Sequence, residues 1–148
     1  MNAPVRAFSI RVHTDNLLLF PGQPGPNSID LSKATKLKNV VFQLDSWSVG
    51  WIVTALQTIT PKHRDLRQIT IQVSHHLICL VLCGSISLNV GEEIRGQWLD
   101  LDRLLVQFWE SRSIRSKLRS GYAKYGVGNC VHGFLPEGRR RKVVDLVE

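Results

Sequence analysis

Long apolar runs are missing from this chain of 148 residues; the longest, 77–83, spans seven. That is about a third of what a membrane-spanning helix needs, so no transmembrane segment is expected. Cysteine is scarce. Cys79, Cys83 and Cys130 are too few and too irregularly spaced for a disulfide framework. No Asn-x-Ser/Thr acceptor occurs, and the first thirteen residues alternate apolar and polar instead of forming a secretory core. These absences point to an intracellular, reducing location, cytoplasm or nucleus, with no membrane partner.

Nucleotide and catalytic motifs are also absent. Gly126-x-Gly128 begins like a dinucleotide fingerprint, but the third glycine position is Val131, and no Gly-Lys-Ser/Thr follows. There is no Gly-x-Ser-x-Gly elbow. The expectation is a protein that is not an enzyme, with no catalytic residue and no cofactor. His75, Cys79 and Cys83 fall at i, i+4 and i+8, and His76, Cys130 or His132 could complete a metal site on a helix. Zinc requires four ligands and a polar surround. Cys79 and Cys83 lie in an apolar run, where free cysteine acts as a small hydrophobe. No metal site is therefore assigned. Asp100-x-Asp102 reads as helix capping and dipole complementarity.

Acids are outnumbered, 12 Asp and Glu against 19 Lys and Arg, and the excess is localised. Residues 111–142 hold nine bases (Arg112, Arg115, Lys117, Arg119, Lys124, Arg139, Arg140, Arg141, Lys142) and one acid, Glu137. A basic end suits an acidic surface, a nucleic-acid backbone or an anionic membrane surface.

What is present is a repeated pattern. The stretch 37–73 reads as strand, amphipathic helix, strand. Leu37-x-x-Val40-x-Phe42-x-Leu44 and Leu66-x-x-Ile69-x-Ile71-x-Val73 start 29 residues apart, with apolar side chains at every second position. Val5-x-x-Phe8-x-Ile10-x-Val12 matches 32 residues earlier. A fourth match starts at Ser111, an interval of 45, read as one repeat with an insertion of roughly 16 residues. Between the strands, Val49, Ile52, Val53, Leu56 and Ile59 share one helix face, with Asp45, Ser46 and Ser48 as candidate N-caps and Pro61 as the stop. Trp98, Leu101, Leu104, Leu105 and Phe108 mark a second helix. The run 77–82 is open between strand and helix. Residues 121–128 read as a loop, and 129–135 as a short helix stopped by Pro136 and Gly138. Trp47, Trp51 and Trp109 read as core or seam packing.

The expected fold is α/β: a single domain over 1–148, forming a short, irregular leucine-rich-repeat-like solenoid, parallel strands on one face and helices on the other. Its strands lie near 5–13, 37–44, 66–73, 114–119 and 142–147. Residues between the core positions line the open face: Ser9, Arg11, His13; Val41, Gln43, Asp45; Thr70, Gln72, Ser74; and Arg115, Lys117, Arg119. The expected partner-binding residues are Arg115, Lys117, Arg119, Thr70, Gln72 and Gln43.

The strings Ser28-Ile-Asp-Leu-Ser-Lys-Ala-Thr-Lys-Leu-Lys-Asn-Val-Val-Phe42, Trp51-Ile-Val-Thr-Ala-Leu-Gln-Thr-Ile-Thr-Pro-Lys-His-Arg-Asp-Leu66 and Gln97-Trp-Leu-Asp-Leu-Asp-Arg-Leu-Leu-Val-Gln-Phe-Trp-Glu-Ser-Arg112 resemble the leucine-rich-repeat region of fungal F-box-type proteins. The resemblance covers 28–115 and the terminal Val-Asp-Leu-Val-Glu. No F-box is expected in this chain, which opens within a strand match. In that family an F-box engages a ubiquitin-ligase scaffold and the repeats hold a substrate. The resemblance implies a protein-binding module, a substrate-recognition part of a ubiquitin-ligase adaptor or a truncated relative of one. The alternative is a basic nucleic-acid-binding protein using residues 111–142.

Overall fold

The structure, a computed structural model, describes residues 9–13, 16–19, 30–119 and 127–147; at 9–13, 16–18 and 127–129 it describes the backbone alone. Among the described residues six strands form one sheet: β1 (Ser9–His13), β2 (Asn16–Leu19), β3 (Asn39–Leu44), β4 (Gln68–Val73), β5 (Arg115–Arg119) and β6 (Val144–Val147). They lie side by side in chain order. Each neighbouring pair from β2 to β6 is parallel, and β1 runs antiparallel to β2. The chain is thus a mixed α/β protein with a parallel sheet. Its helices are α1 (Gly50–Leu56), α2 (His75–Leu82), α3 (Glu92–Arg112), α4 (Val127–His132) and α5 (Pro136–Arg140).

The alternation that marked the strands sets the core. Val40, Phe42 and Leu44 on β3, and Ile69, Ile71 and Val73 on β4, are buried with the inward sides of the helices: Ile52, Ala55 and Leu56 on α1, Leu77 and Ile78 on α2, Trp98, Leu101 and Leu105 on α3. The β3–β4 register holds the 29-residue spacing throughout, from Asn39↔Gln68 to Leu44↔Val73.

Several expectations change. The 5–13 match is not a further parallel repeat. Its described part, β1, folds back on β2, because a two-residue link cannot carry a parallel crossover. The parallel neighbour of β3 is β2, from the Leu17-Leu18-Leu19 run, which lies outside the four strand matches. On β5 the register is Ile69↔Ser116 and Ile71↔Leu118, two residues beyond the expected pairing. A slip of two preserves the face, so Arg115, Lys117 and Arg119 still point outward.

Run 77–82 is helical. The Ser74 hydroxyl accepts the Leu77 N–H (3.0 Å) as an N-cap. At the other end Gly84 takes φ +84°, the Ser85 N–H reaches Leu80 O (2.9 Å) and the Gly84 N–H reaches Val81 O (3.1 Å). This left-handed glycine closure terminates helices. Cys79 and Cys83 are exposed rather than buried in an apolar run, because one face of α2, with His75, His76 and Leu82, turns to water. Pro136 and Gly138 do not stop a helix; Pro136 opens α5 at a position where its missing N–H costs nothing, and Gly138 is buried inside it. Residues 127 and 128, read as loop, belong to α4, and 121–126 lie outside the described residues.

Helix α3 is the element on which the others close. Glu92 and Glu93 occupy its first turn and Arg112 its last, matching its dipole. Its side chains supply polar contacts to segments distant in sequence. The Gln97 Oε1 accepts the N–H groups of Val49 (3.0 Å) and Gly50 (3.2 Å) and the Ser48 hydroxyl (3.1 Å). The N-terminus of α1 is thus capped by Gln97 instead of by a side chain of Asp45, Ser46 or Ser48. Trp98 donates its indole N–H to Trp47 O (2.8 Å). Asp102, expected to complement its own helix dipole, is buried and accepts from the N–H groups of Glu137 (2.9 Å) and Gly138 (2.8 Å), capping α5. Arg112 donates to Thr60 O (3.1 Å) and to His63 O in the turn after α1. Helix α1 ends at Leu56 instead of 60. There the Thr58 hydroxyl takes the Ala55 carbonyl (2.6 Å) and accepts the Leu31 N–H (2.8 Å), competing with the helical ladder.

Candidate functional site

The outward face of β3 to β6 is organised in rows set by register. One row joins Asn39, Gln68 and Arg115; the next Val41, Thr70, Lys117 and Asp145; the third Gln43, Gln72, Arg119 and Val147. Adjacent strands are about 4.8 Å apart, so Gln43 and Arg119 bracket roughly 10 Å of surface. The expected residues are therefore brought onto one face, and they differ in availability.

Thr70 is 3% exposed and accepts from the Gln68 amide (3.1 Å), so it contributes shape but almost no accessible surface. Ser74 is spent on the α2 cap and Asp45 lies beyond the end of β3, exposed. The side chains of Ser9, Arg11 and His13 lie outside what the structure describes. Gln43, Gln72 and Lys117 are half-buried and Arg119 is exposed.

Charge on this face is graded. Arg115 bonds the Asp145 carboxylate (2.8 Å) and lies 5.3 Å from the Trp109 ring centroid. Both contacts are partly solvated and modest in energy, about 1 kcal/mol or less each, but they engage the guanidinium, and the carboxylate offsets its charge. Among the described residues Lys117 and Arg119 have no ion pair. The uncompensated positive charge of the sheet face therefore sits at the β5 end of the Gln43–Gln72–Arg119 row.

Much of the remaining basic segment is engaged within the chain. Arg140 forks onto Glu137 through two bonds (2.7 and 3.1 Å), which hold the Glu137 carboxyl below its usual range and raise the Arg140 guanidinium. Arg141 meets Glu110 (2.8 Å) and Arg112 meets two carbonyls. Lys124 and the two tyrosines, Tyr122 and Tyr125, lie outside the described residues.

One feature escaped the sequence reading, and a second was seen only as a spacing. Buried His63 accepts the Thr60 N–H at Nδ1 (3.0 Å), which leaves Nε2 to donate to Leu31 O (2.6 Å). It joins the segment before β3 to the turn before β4. The sequence signal, a histidine between Lys62 and Arg64, looked like a polar turn. The second is the pair of thiols at Cys79 on α2 and Cys83 at its C-cap, whose spacing with His75 was legible but whose exposure and contacts were not. Cys79 Sγ lies 3.5 Å from His75 Nε2, while Cys83 Sγ meets the Ser85 hydroxyl at 3.1 Å. The Ser85 hydroxyl and then its backbone N–H hold the Cys83 thiol below its ordinary value. Among the described residues no group of three His, Cys, Asp or Glu side chains could hold a metal ion, and no helix is long and apolar enough to cross a membrane.

Comparison with protein-family models, with curated proteins and with solved structures finds no match.

Proposed function

We propose that this chain is a non-enzymatic protein-binding module, a leucine-rich-repeat-like solenoid whose outward sheet face recognises an acidic protein surface. The observation that carries this reading is the register row Gln43–Gln72–Arg119 with Lys117 beside it. Two amides and two uncompensated cations lie on a rigid, hydrogen-bonded platform. Carboxylates accept charge-assisted bonds from such cations, and the amides supply donors and acceptors for peptide groups. Sequential parallel strands, a constant 29-residue offset between β3 and β4, and helices sharing one core support the repeat reading. The resemblance to fungal F-box-type proteins supports a finer proposal, that the acidic partner is a substrate presented for ubiquitination.

Nucleic acid is the alternative, with the basic segment 111–142 as its footprint. The protein reading is favoured because Arg112, Arg115, Arg140 and Arg141 are held by carbonyls or carboxylates of this chain. An NMR titration separates the two. A Glu-rich peptide should shift Gln43, Gln72, Lys117 and Arg119 together, while a single-stranded oligonucleotide should not. Binding of the oligonucleotide alone, with affinity falling steeply with salt, overturns the protein reading.

A further inference from the structure

A groove of about 280 Å³ lies on the helical side of the molecule, between α1 and α3. Its walls are Leu56, Ile59, Pro61, Leu104 and Phe108, and Arg112 stands at its margin. Arg112 is half-buried, and its two described bonds go to the carbonyls of Thr60 and His63. Carbonyls satisfy two of a guanidinium's five N–H donors and supply no formal counter-charge. No carboxylate pairs with it among the described residues, although Arg115, Arg140 and Arg141 each have one. A partly desolvated cation beside an apolar trough is the complement of an anion with an apolar body. The other polar side chains of the lining, Gln57, Thr60, Gln107 and Ser111, carry no formal charge.

We propose that this groove binds a small amphiphilic carboxylate, its acyl or aryl body against Leu104 and Phe108 and its carboxylate on the free donors of Arg112. The size suits a body of about six to ten carbons, below the usual range for drug-sized ligands. The site is separate from the outward sheet face, since it is built by helices packed on the other side of the core.

The test is calorimetric titration of the full chain with three probes of equal length: octanoate, octylammonium and octanol. Octanoate should bind more tightly than octanol, and octylammonium should show no binding. Gln107 is exposed, so Gln107→Glu places a like charge at the rim without disturbing the core, and should weaken octanoate about tenfold while leaving octanol unchanged. Lys117→Glu/Arg119→Glu should leave octanoate affinity as it was, which separates this groove from the sheet face. Equal affinity for octanoate and octanol, an unaltered affinity in Gln107→Glu, or no octanoate binding at millimolar concentration each overturns the proposal. Arg112→Lys, which keeps the charge and loses the planar fork, should retain part of the affinity.

Discussion

The Asp102 carboxylate, midway along α3, accepts the backbone N–H of Gly138 at 2.8 Å, and a Cβ built on Gly138 would stand 3.1 Å from that same oxygen and 2.6 Å from Val144 Cγ2. A buried acid and a buried glycine thus depend on each other. The carboxylate serves the N–H groups that α5 cannot satisfy itself, and the missing side chain lets α5 approach both α3 and β6.

Two substitutions probe this contact. Asp102→Ala leaves two N–H groups without their acceptor and should lower stability by about 2 kcal/mol. Gly138→Ala should cost about 1–3 kcal/mol by overpacking against Val144. Denaturant unfolding measures both. In the double variant the losses should be less than additive, because each change separates the same pair of elements.

The sequence made the strands and the faces of the longer helices legible, because apolar alternation at Val40, Phe42 and Leu44 and the 3.6-residue stripe at Trp98, Leu101 and Leu105 are local signals of burial. It did not show which side chains close the helices. Gln97 caps α1 from 47 to 49 residues away and Asp102 caps α5 from 35 to 36 away; no local spacing encodes such pairs, so Ser48 and the dipole of α3 were the natural local readings. The β1–β2 hairpin was missed because alternation cannot distinguish a parallel from an antiparallel neighbour. For α2 the deciding cues were present at Ser74 and Gly84, at the margins of an apolar run that periodicity alone leaves open. At the sheet face, alternation identified the outward positions of Arg115, Lys117 and Arg119. It could not reveal that Asp145 would neutralise the first, or that Thr70 would be covered by Gln68.

His63 should be a second point of fragility. His63→Ala removes the acceptor for the Thr60 N–H and the donor to Leu31 O at a fully buried site. The expected loss is about 2–3 kcal/mol by denaturant unfolding. Hydrogen exchange should show the Thr60 amide losing protection first.

Cys83 should react with thiol reagents at lower pH than an ordinary cysteine. The thiolate is the nucleophile, and a pKa lowered by Ser85 raises its fraction at a given pH. The rate of iodoacetamide labelling, followed by peptide mass spectrometry, should rise with pH through a midpoint below the ordinary thiol value. Ser85→Ala should move that midpoint upward. An unmoved midpoint would mean that Ser85 does not stabilise the thiolate.

The outward sheet face should tolerate substitution structurally and fail functionally. Lys117→Glu/Arg119→Glu changes groups with no ion pair among the described residues; its one added cost is a carboxylate in register with Asp145, so the loss of stability should stay within about 1 kcal/mol. Arg115→Ala should have a smaller functional effect, because Asp145 and Trp109 already engage its charge.

The most direct test is quantitative co-purification by the parent chain and by Lys117→Glu/Arg119→Glu, with nuclease present and the two unfolding curves compared. The expected result is a set of acidic proteins held by the parent and lost at least tenfold by the variant, with both chains equally folded. Recovery of ligase scaffold subunits in that set would support the ubiquitination reading. Equal recovery of the same proteins by both chains would contradict the claim that this face is the binding surface.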